Sequence, residues 1–264
     1  MTAKPVPTFA QRALAREWRL FCCAVGFLTR LPAPALRDFQ PAWIGRSARW
    51  FPLVGQIVGA LSAAVFLAAG QLWGGAAAAI LAVGAGVWIT GAFHEDGLAD
   101  TADGLGGGTS PEARLEIMKD SRIGTYGVLA LGLVVGLRVA ALAAMPGWEG
   151  AVALVAAHGF GRAAAVAAMA TQPYVGASTT AKAGASPQDP GKANALVAGL
   201  AALWPFLLIP PRAALLSIGL AVAAAAIVGA LAHRLIGGRT GDTLGAVEQA
   251  AETAVLLGAA ALMQ

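Results

Sequence analysis

The stretch from Trp50 to Phe93, WFPLVGQIVGALSAAVFLAAGQLWGGAAAAILAVGAGVWITGAF, runs for 44 residues without one Asp, Glu, Lys or Arg. A bilayer core is crossed by about 20 apolar residues in a helix. The run therefore holds two spans, near 52–73 and 76–93, with Gly74-Gly75 as the turn between them. The rest of the chain follows suit: it is 58% hydrophobic, only 12% charged and carries 34 glycines in 264 residues. A soluble domain is usually about 25% charged. A large soluble helical core is the alternative, and it would rarely need so long an uncharged stretch.

Further apolar segments lie near 124–145, 150–171, 193–211, 213–234 and 244–264. The expected architecture is an all-α, polytopic membrane helix bundle with about seven transmembrane helices, residues 1–264 forming one domain. The apolar piece Leu20–Leu31 is too short to cross and is closed by Arg30 and Pro32, so it reads as an interfacial or re-entrant helix. Met1–Arg19 is basic but lacks a signal peptide's cleavage pattern. Cys22 and Cys23 are adjacent and make neither a disulfide framework nor a zinc site.

Charge sets the orientation. Eight of the 18 bases precede Trp50, which puts the N-terminus on the cytoplasmic side. Seven spans then place the loops near 94–123, 172–192 and 235–243 on that same side, with Lys119, Arg122, Lys182 and Arg239 among their bases. The net charge of +4 thus follows membrane topology, and nucleic acid is not an expected partner. The segment Thr171–Pro190, small and polar with two prolines, reads as a flexible loop.

Seven of the 14 acidic residues fall between Glu95 and Asp120, and the stretch from Glu95 to Arg122 carries a local net charge of −4. Asp96, Asp100 and Asp103 stand at i, i+4 and i+7, on one face if the helix of 76–93 continues through them. Carboxylates about 5 Å apart repel by roughly 3 kcal/mol per pair at an effective dielectric of 20. A hard divalent cation offsets that, and oxygen-only ligands fit magnesium or manganese. The alternative is a solvated helix end whose acids pair with Arg114, Lys119 and Arg122.

Gly104, Gly106, Gly107 and Gly108 follow, as a helix break or a place where backbone approaches a bulky substrate. No Walker loop or dinucleotide fingerprint is present, and Leu98 stands where a zinc-protease H-E-x-x-H motif needs its second His. Lys119 and Arg122 are placed to hold phosphate oxygens. Arg138, His158 and Arg162 lie inside expected spans, where charge is costly and faces an interior. Arg162 reads as a substrate contact, while His158 and Arg138 are equally explained by helix packing. Asp242 and Glu252 are candidates to face the same cavity as the aspartates, Glu252 lying too deep for a helix-end role.

The runs His94-Glu95-Asp96-Gly97-Leu98-Ala99-Asp100-Thr101-Ala102-Asp103-Gly104 and Met118-Lys119-Asp120-Ser121-Arg122-Ile123-Gly124-Thr125-Tyr126-Gly127 resemble the hallmark of the cobalamin synthases, the adenosylcobinamide-GDP ribazoletransferases. Leu28-Thr29-Arg30-Leu31-Pro32, Phe51-Pro52-Leu53-Val54-Gly55 and Gly238 to Ala246 are similar to family segments in the same order. The resemblance implies an inner-membrane enzyme, dependent on Mg²⁺, that joins adenosylcobinamide-GDP to α-ribazole or its 5′-phosphate and releases GMP. It implies metal ligation by Asp96, Asp100 and Asp103, with Glu252 as a further candidate. It also implies substrate contacts from His94, Lys119, Arg122, Arg162, Arg239, Asp242 and Arg30, and proton acceptance by Asp120 or a ligand aspartate. Asp100-x-x-Asp103-Gly104 also resembles the start of the CDP-alcohol phosphotransferase motif, but Gly107 and Gly108 replace its Ala-Arg pair. A cation-coupled transporter is the competing class, although no internal repeat supports it. Homo-oligomerisation stays open.

Overall fold

The computed structural model describes residues 8–37, 39–176 and 189–263, so Lys4, Lys182 and most of the expected 171–190 loop lie outside the described residues. Eleven α-helices follow one another: α1 (Phe9–Leu28), α2 (Ala42–Ser47), α3 (Phe51–Gly70), α4 (Gly75–Thr90), α5 (Phe93–Gly107), α6 (Pro111–Ile117), α7 (Thr125–Ala143), α8 (Gly147–Thr171), α9 (Gly191–Ala201), α10 (Pro211–Ile236) and α11 (Gly241–Ala260). Among the described residues the one piece of β pairing is a bridge between Tyr174 and Arg239.

Among the described residues five stretches are long and apolar enough to cross a bilayer: Ala42–Gly70, Thr125–Ala143, Gly147–Thr171, Gly191–Leu208 and Pro211–Ile236. The pair α4 and α5 makes a sixth if taken as one broken span. The seventh expected span, 244–264, is helical as α11 but falls short of the others in apolarity. The reason is its setting. α11 packs against α5, α7, α8 and α10, and nearly all its residues are buried. A helix wrapped by protein has no lipid-facing side to keep apolar, so it tolerates Glu248, Gln249 and Glu252. α10, by contrast, exposes Leu215, Val222 and Ile227 outward.

The helix ends sort onto two sides. At one, Arg30 N–H donates to Ile89 at 2.7 Å, Arg114 donates to the Leu235 carbonyl at 3.4 Å, and Val175 donates to Arg239 at 2.9 Å. The described parts of the expected loops 94–123, 172–192 and 235–243 therefore meet at one end of the bundle. At the other end a Cβ on Gly75 would lie 3.0 Å from the Ala143 carbonyl, and one on Gly147 would lie 3.4 Å from Leu67.

Two expectations change in detail. The aspartate helix does not continue the span of 76–93. Gly91 (φ 71°) and Ala92 (φ 60°) are both left-handed, and α5 leaves α4 at 91°. Left-handed alanine costs roughly 1–2 kcal/mol, and Ala92 is the one non-glycine with positive φ among the described residues. The N-terminal helix is also longer than Leu20–Leu31. It starts at Phe9 because Thr8 and Gln11 form a capping box, and Thr29 in extended conformation ends it.

Candidate functional site

Because α5 turns away from α4 at a right angle, its aspartates lie outside the apolar spans, along the end where the loops meet. Asp96 is exposed, Asp100 half-buried and Asp103 buried. The first turn of α11 crosses them. Gly97 permits the approach, since a Cβ there would sit 2.8 Å from the Asp242 carbonyl, and Gly245 does the same against the His94 carbonyl at 3.0 Å. Asp242 thereby joins the aspartates of α5, and Thr240 Oγ1 donates to it at 3.3 Å. Burial, then Asp96, Asp242 and Asp103, push the Asp100 carboxyl up to about 6. Carboxyls held that high have too little positive charge nearby. An all-oxygen, uncompensated donor set suits a hard divalent cation.

Asp103 has a second occupation. Its Oδ2 accepts the Gly124 N–H at 2.7 Å and its Oδ1 accepts the Gly127 N–H at 2.9 Å. Gly124 is the N-cap of α7, so this carboxylate satisfies amides that the helix leaves unpaired and faces its positive dipole end. A Cβ on either glycine would lie 2.5 Å from a carboxylate oxygen. The Gly-x-x-Gly of 124–127 is thus a slot for Asp103, which pins α5 to α7.

The connecting loop places Lys119 and Arg122 at the surface. Arg122 Nε donates to Asp120 at 3.0 Å, and this pairing holds the Asp120 carboxyl down to about 2. So weak a base is poorly matched to proton abstraction near neutrality. The geometry therefore disfavours Asp120 as the proton acceptor. Arg30 is exposed at the α4–α5 corner, where a Cβ on Gly91 would lie 2.2 Å from its Nε.

Four other candidates are drawn elsewhere. Glu252 does not join the aspartates. It lies in a buried network, contacting Arg138, His158 Nδ1 at 2.9 Å and Arg162 at 3.2 Å. Arg162 is 2% exposed and also donates to Glu248 at 2.6 Å, so its charge is spent inside the bundle rather than on a pyrophosphate. His94 points inward too, its Nδ1 4.0 Å from Glu248. Arg239 is buried, paired with Asp189, donating to the Gln172 carbonyl at 3.2 Å and lying 5.4 Å over the Tyr174 ring. It closes the connection between α8 and α11.

The network reaches α5 through a residue that sequence reasoning left without a role. Glu95 accepts from Arg138 at 3.4 Å and from Gln249 at 3.1 Å, while Arg138 also donates to Gln249 at 2.9 Å. The available signal was the matching i, i+4 spacing of His158 and Arg162 on α8 and of Glu248 and Glu252 on α11. Small residues allow the closeness: a Cβ on Gly55 would strike the His158 carbonyl at 2.2 Å, and one on Gly161 would lie 3.0 Å from Glu248.

Among the described residues, one trio of potential metal ligands has atoms all within 4.8 Å of one another: His158, Glu248 and Glu252. No three of Asp96, Asp100, Asp103 and Asp242 converge so tightly. Compactness is the weaker criterion here. Two guanidinium groups already neutralise the buried trio and would repel a cation, whereas the aspartates have no comparable cationic partners and sit nearer solvent.

A family model described as Cobalamin-5-phosphate synthase matches residues 20–260. The chain is 45% identical to the adenosylcobinamide-GDP ribazoletransferase of Leptothrix cholodnii, over 93% of this chain and 96% of that one. It is likewise 45% identical to the protein of that name from Sinorhizobium medicae, over 93% and 97% of the two chains. With the Shewanella pealeana protein of the same name it shares 38% identity over 91% and 94%. No solved structure matches.

Proposed function

From the premise that the chain belongs to the Cobalamin-5-phosphate synthase family, we propose that its acidic end is a magnesium-dependent site joining adenosylcobinamide-GDP to α-ribazole or α-ribazole 5′-phosphate. The chain is a membrane-embedded transferase of cobamide assembly. The observation that carries the site assignment is the run of carboxyls from α5 and the first turn of α11, with Asp100 pushed up to about 6.

In the reaction, the ribose 3′-hydroxyl of the acceptor forms a bond to the phosphorus that carries the cobinamide arm. The bond from that phosphorus to GMP breaks, and the hydroxyl proton passes to a base. Asp96, Asp100 and Asp242 would hold Mg²⁺, which supplies neutralisation of charge on the attacking and leaving oxygens. The protein's own part is mostly positioning. Lys119 and Arg122, exposed on the loop between α6 and α7, meet the pyrophosphate oxygens, and Arg30 lies at the corner where α5 begins. Asp103, locked onto Gly124 and Gly127, fixes the angle between α5 and α7. With Asp120 held near 2 by Arg122, proton acceptance passes to an aspartate of the α5 face.

The site end faces the cytoplasm of the cell inner membrane in this reading. The eight bases before Trp50 support that orientation. The test is release of GMP from adenosylcobinamide-GDP by the purified protein. EDTA is expected to abolish it and Mg²⁺ to restore it; full turnover in chelator would remove metal from the mechanism. Release of CMP from a CDP-alcohol substrate instead would redirect the reading to a lipid acceptor.

A further inference from the structure

Phe93, Asp96 and Asp100 stand at i, i+3 and i+7, so one face of α5 carries an aromatic ring and then the acids of the site. Phe93 is 45% exposed on that face. Its ring meets Phe27 of α1 edge-on at 5.3 Å, and Phe27 stacks on Phe51 of α3 at 5.8 Å. Behind the rings lies a cavity of about 70 Å³, walled by His94, by Ala165 of α8 and by Leu244 of α11. Gly241 and Gly245 complete the α11 wall, on either side of Asp242 in the sequence. The same two helix starts therefore build the acidic face and an aromatic recess beside it. The transferase reading gives the acids a use and leaves the recess without one.

We propose that the recess holds the planar base of the acceptor nucleoside while its ribose lies over the acids. The proposal rests on the transferase reading and adds to it the seat of one substrate. α-Ribazole carries a dimethylbenzimidazole, which is flat and apolar, with two methyl groups on the edge away from the sugar. Such a ring stacks on exposed aromatic side chains whatever its substituents. Phe93 and Asp96 are about 4.5 Å apart along the helix axis, close to the reach of a single ribose. A base seated on Phe93 thus brings the ribose hydroxyls to Asp96 and Asp100. The cavity behind the rings suits the methyl edge. Its volume of about 70 Å³ takes two groups of roughly the 30 Å³ that a water molecule occupies. His94 supplies polarity at the wall. It is 4% exposed, its Nδ1 lies 4.0 Å from Glu248, beyond hydrogen-bond reach, and its imidazole makes no hydrogen bond among the described residues. An imidazole N–H there can donate to the free ring nitrogen of the base. Exposed aromatics also anchor proteins at a bilayer surface, but an anchor needs neither a row of acids on its own face nor a cavity behind it.

Steady-state kinetics of the full-length protein in detergent, with both substrates varied, separates these roles. Phe93→Ala is expected to raise KM for α-ribazole by about tenfold and to leave KM for adenosylcobinamide-GDP unchanged. Ala165→Val, which fills the cavity from the α8 side, should raise KM for α-ribazole but not for its analogue with unmethylated benzimidazole. Trp148→Ala, an exposed aromatic at the opposite end of the bundle, should move neither KM. In wild type, free dimethylbenzimidazole should inhibit competitively against α-ribazole and not against adenosylcobinamide-GDP, a readout that needs no variant. Absence of that competition would overturn the proposal, as would an unaltered KM for α-ribazole in a folded Phe93→Ala protein. So would a KM that rises for adenosylcobinamide-GDP instead, which would seat the other substrate on the rings. Each of these results leaves wild-type GMP release intact, whereas no release from any α-ribazole acceptor would sink the transferase reading and the recess with it.

Discussion

Two faces of α5 treat carboxylates in opposite ways. At its start Glu95 turns into the bundle and meets Arg138 at 3.4 Å and Gln249 at 3.1 Å, within a network that also holds Arg162, Glu248 and Glu252. One residue later the chain presents Asp96, and then Asp100, to a face where Asp242 adds a further acid and Asp100 rises to about 6. The interior network holds three glutamates against two arginines, so each charge has a partner of opposite sign within reach. The outer face has acids without matching bases. The number of acids is similar in both places, but only the inner network balances them with arginines. Charge compensation, not charge density, separates a structural cluster from a chemical one.

The largest expected effect breaks the outer face alone. Asp100→Asn should lower turnover by about a hundred- to a thousandfold while the thermal unfolding midpoint in detergent stays at or above the wild-type value, because a repelling charge is removed. Turnover near wild type would take Asp100 out of the site.

Arg138→Met is the complementary break. It strands Glu95 and Glu252 in the interior, and removing one partner of a buried pair costs about 3–5 kcal/mol. Equilibrium unfolding in detergent should show that loss, with activity declining because α5 is no longer held. An unfolding free energy unchanged from wild type would mean that the network carries no structural burden.

Asp103→Asn sharpens the boundary between the two regions. Asn offers one acceptor oxygen where Asp103 uses two, so the structural role predicts a loss of about 1–3 kcal/mol in stability from the amide left unpaired. The fall in turnover should then be far smaller than for Asp100→Asn. Equal collapse of activity in the two variants would return Asp103 to the metal ligands.

Much of this architecture was legible from the residues alone. The uncharged run from Trp50 to Phe93 became α3 and α4, with the turn ending at Gly74. The basic N-terminal segment and the three polar loops were expected on one side, and their described parts do meet there. What escaped was set by tertiary contact. Gly91-Ala92 reads as ordinary apolar helix until Arg30 is seen packed at the corner, so the right-angle turn left no local trace. Glu252 was grouped with the aspartates because it lay deep in an apolar helix. Its true partners, Arg138, His158 and Arg162, come from two other helices. Arg239 looked available for phosphate because Asp189 stands fifty residues away in sequence. The aspartate spacing, by contrast, was readable because i, i+4, i+7 is a property of one helix.

Binding of Mn²⁺, as a paramagnetic substitute for Mg²⁺, tests the central claim most directly. Electron paramagnetic resonance titration of the purified protein should show bound Mn²⁺ in wild type and in a folded Glu252→Gln variant, and none in Asp100→Asn. Retention of Mn²⁺ by Asp100→Asn together with its loss from Glu252→Gln would move the metal to His158, Glu248 and Glu252 and contradict the account.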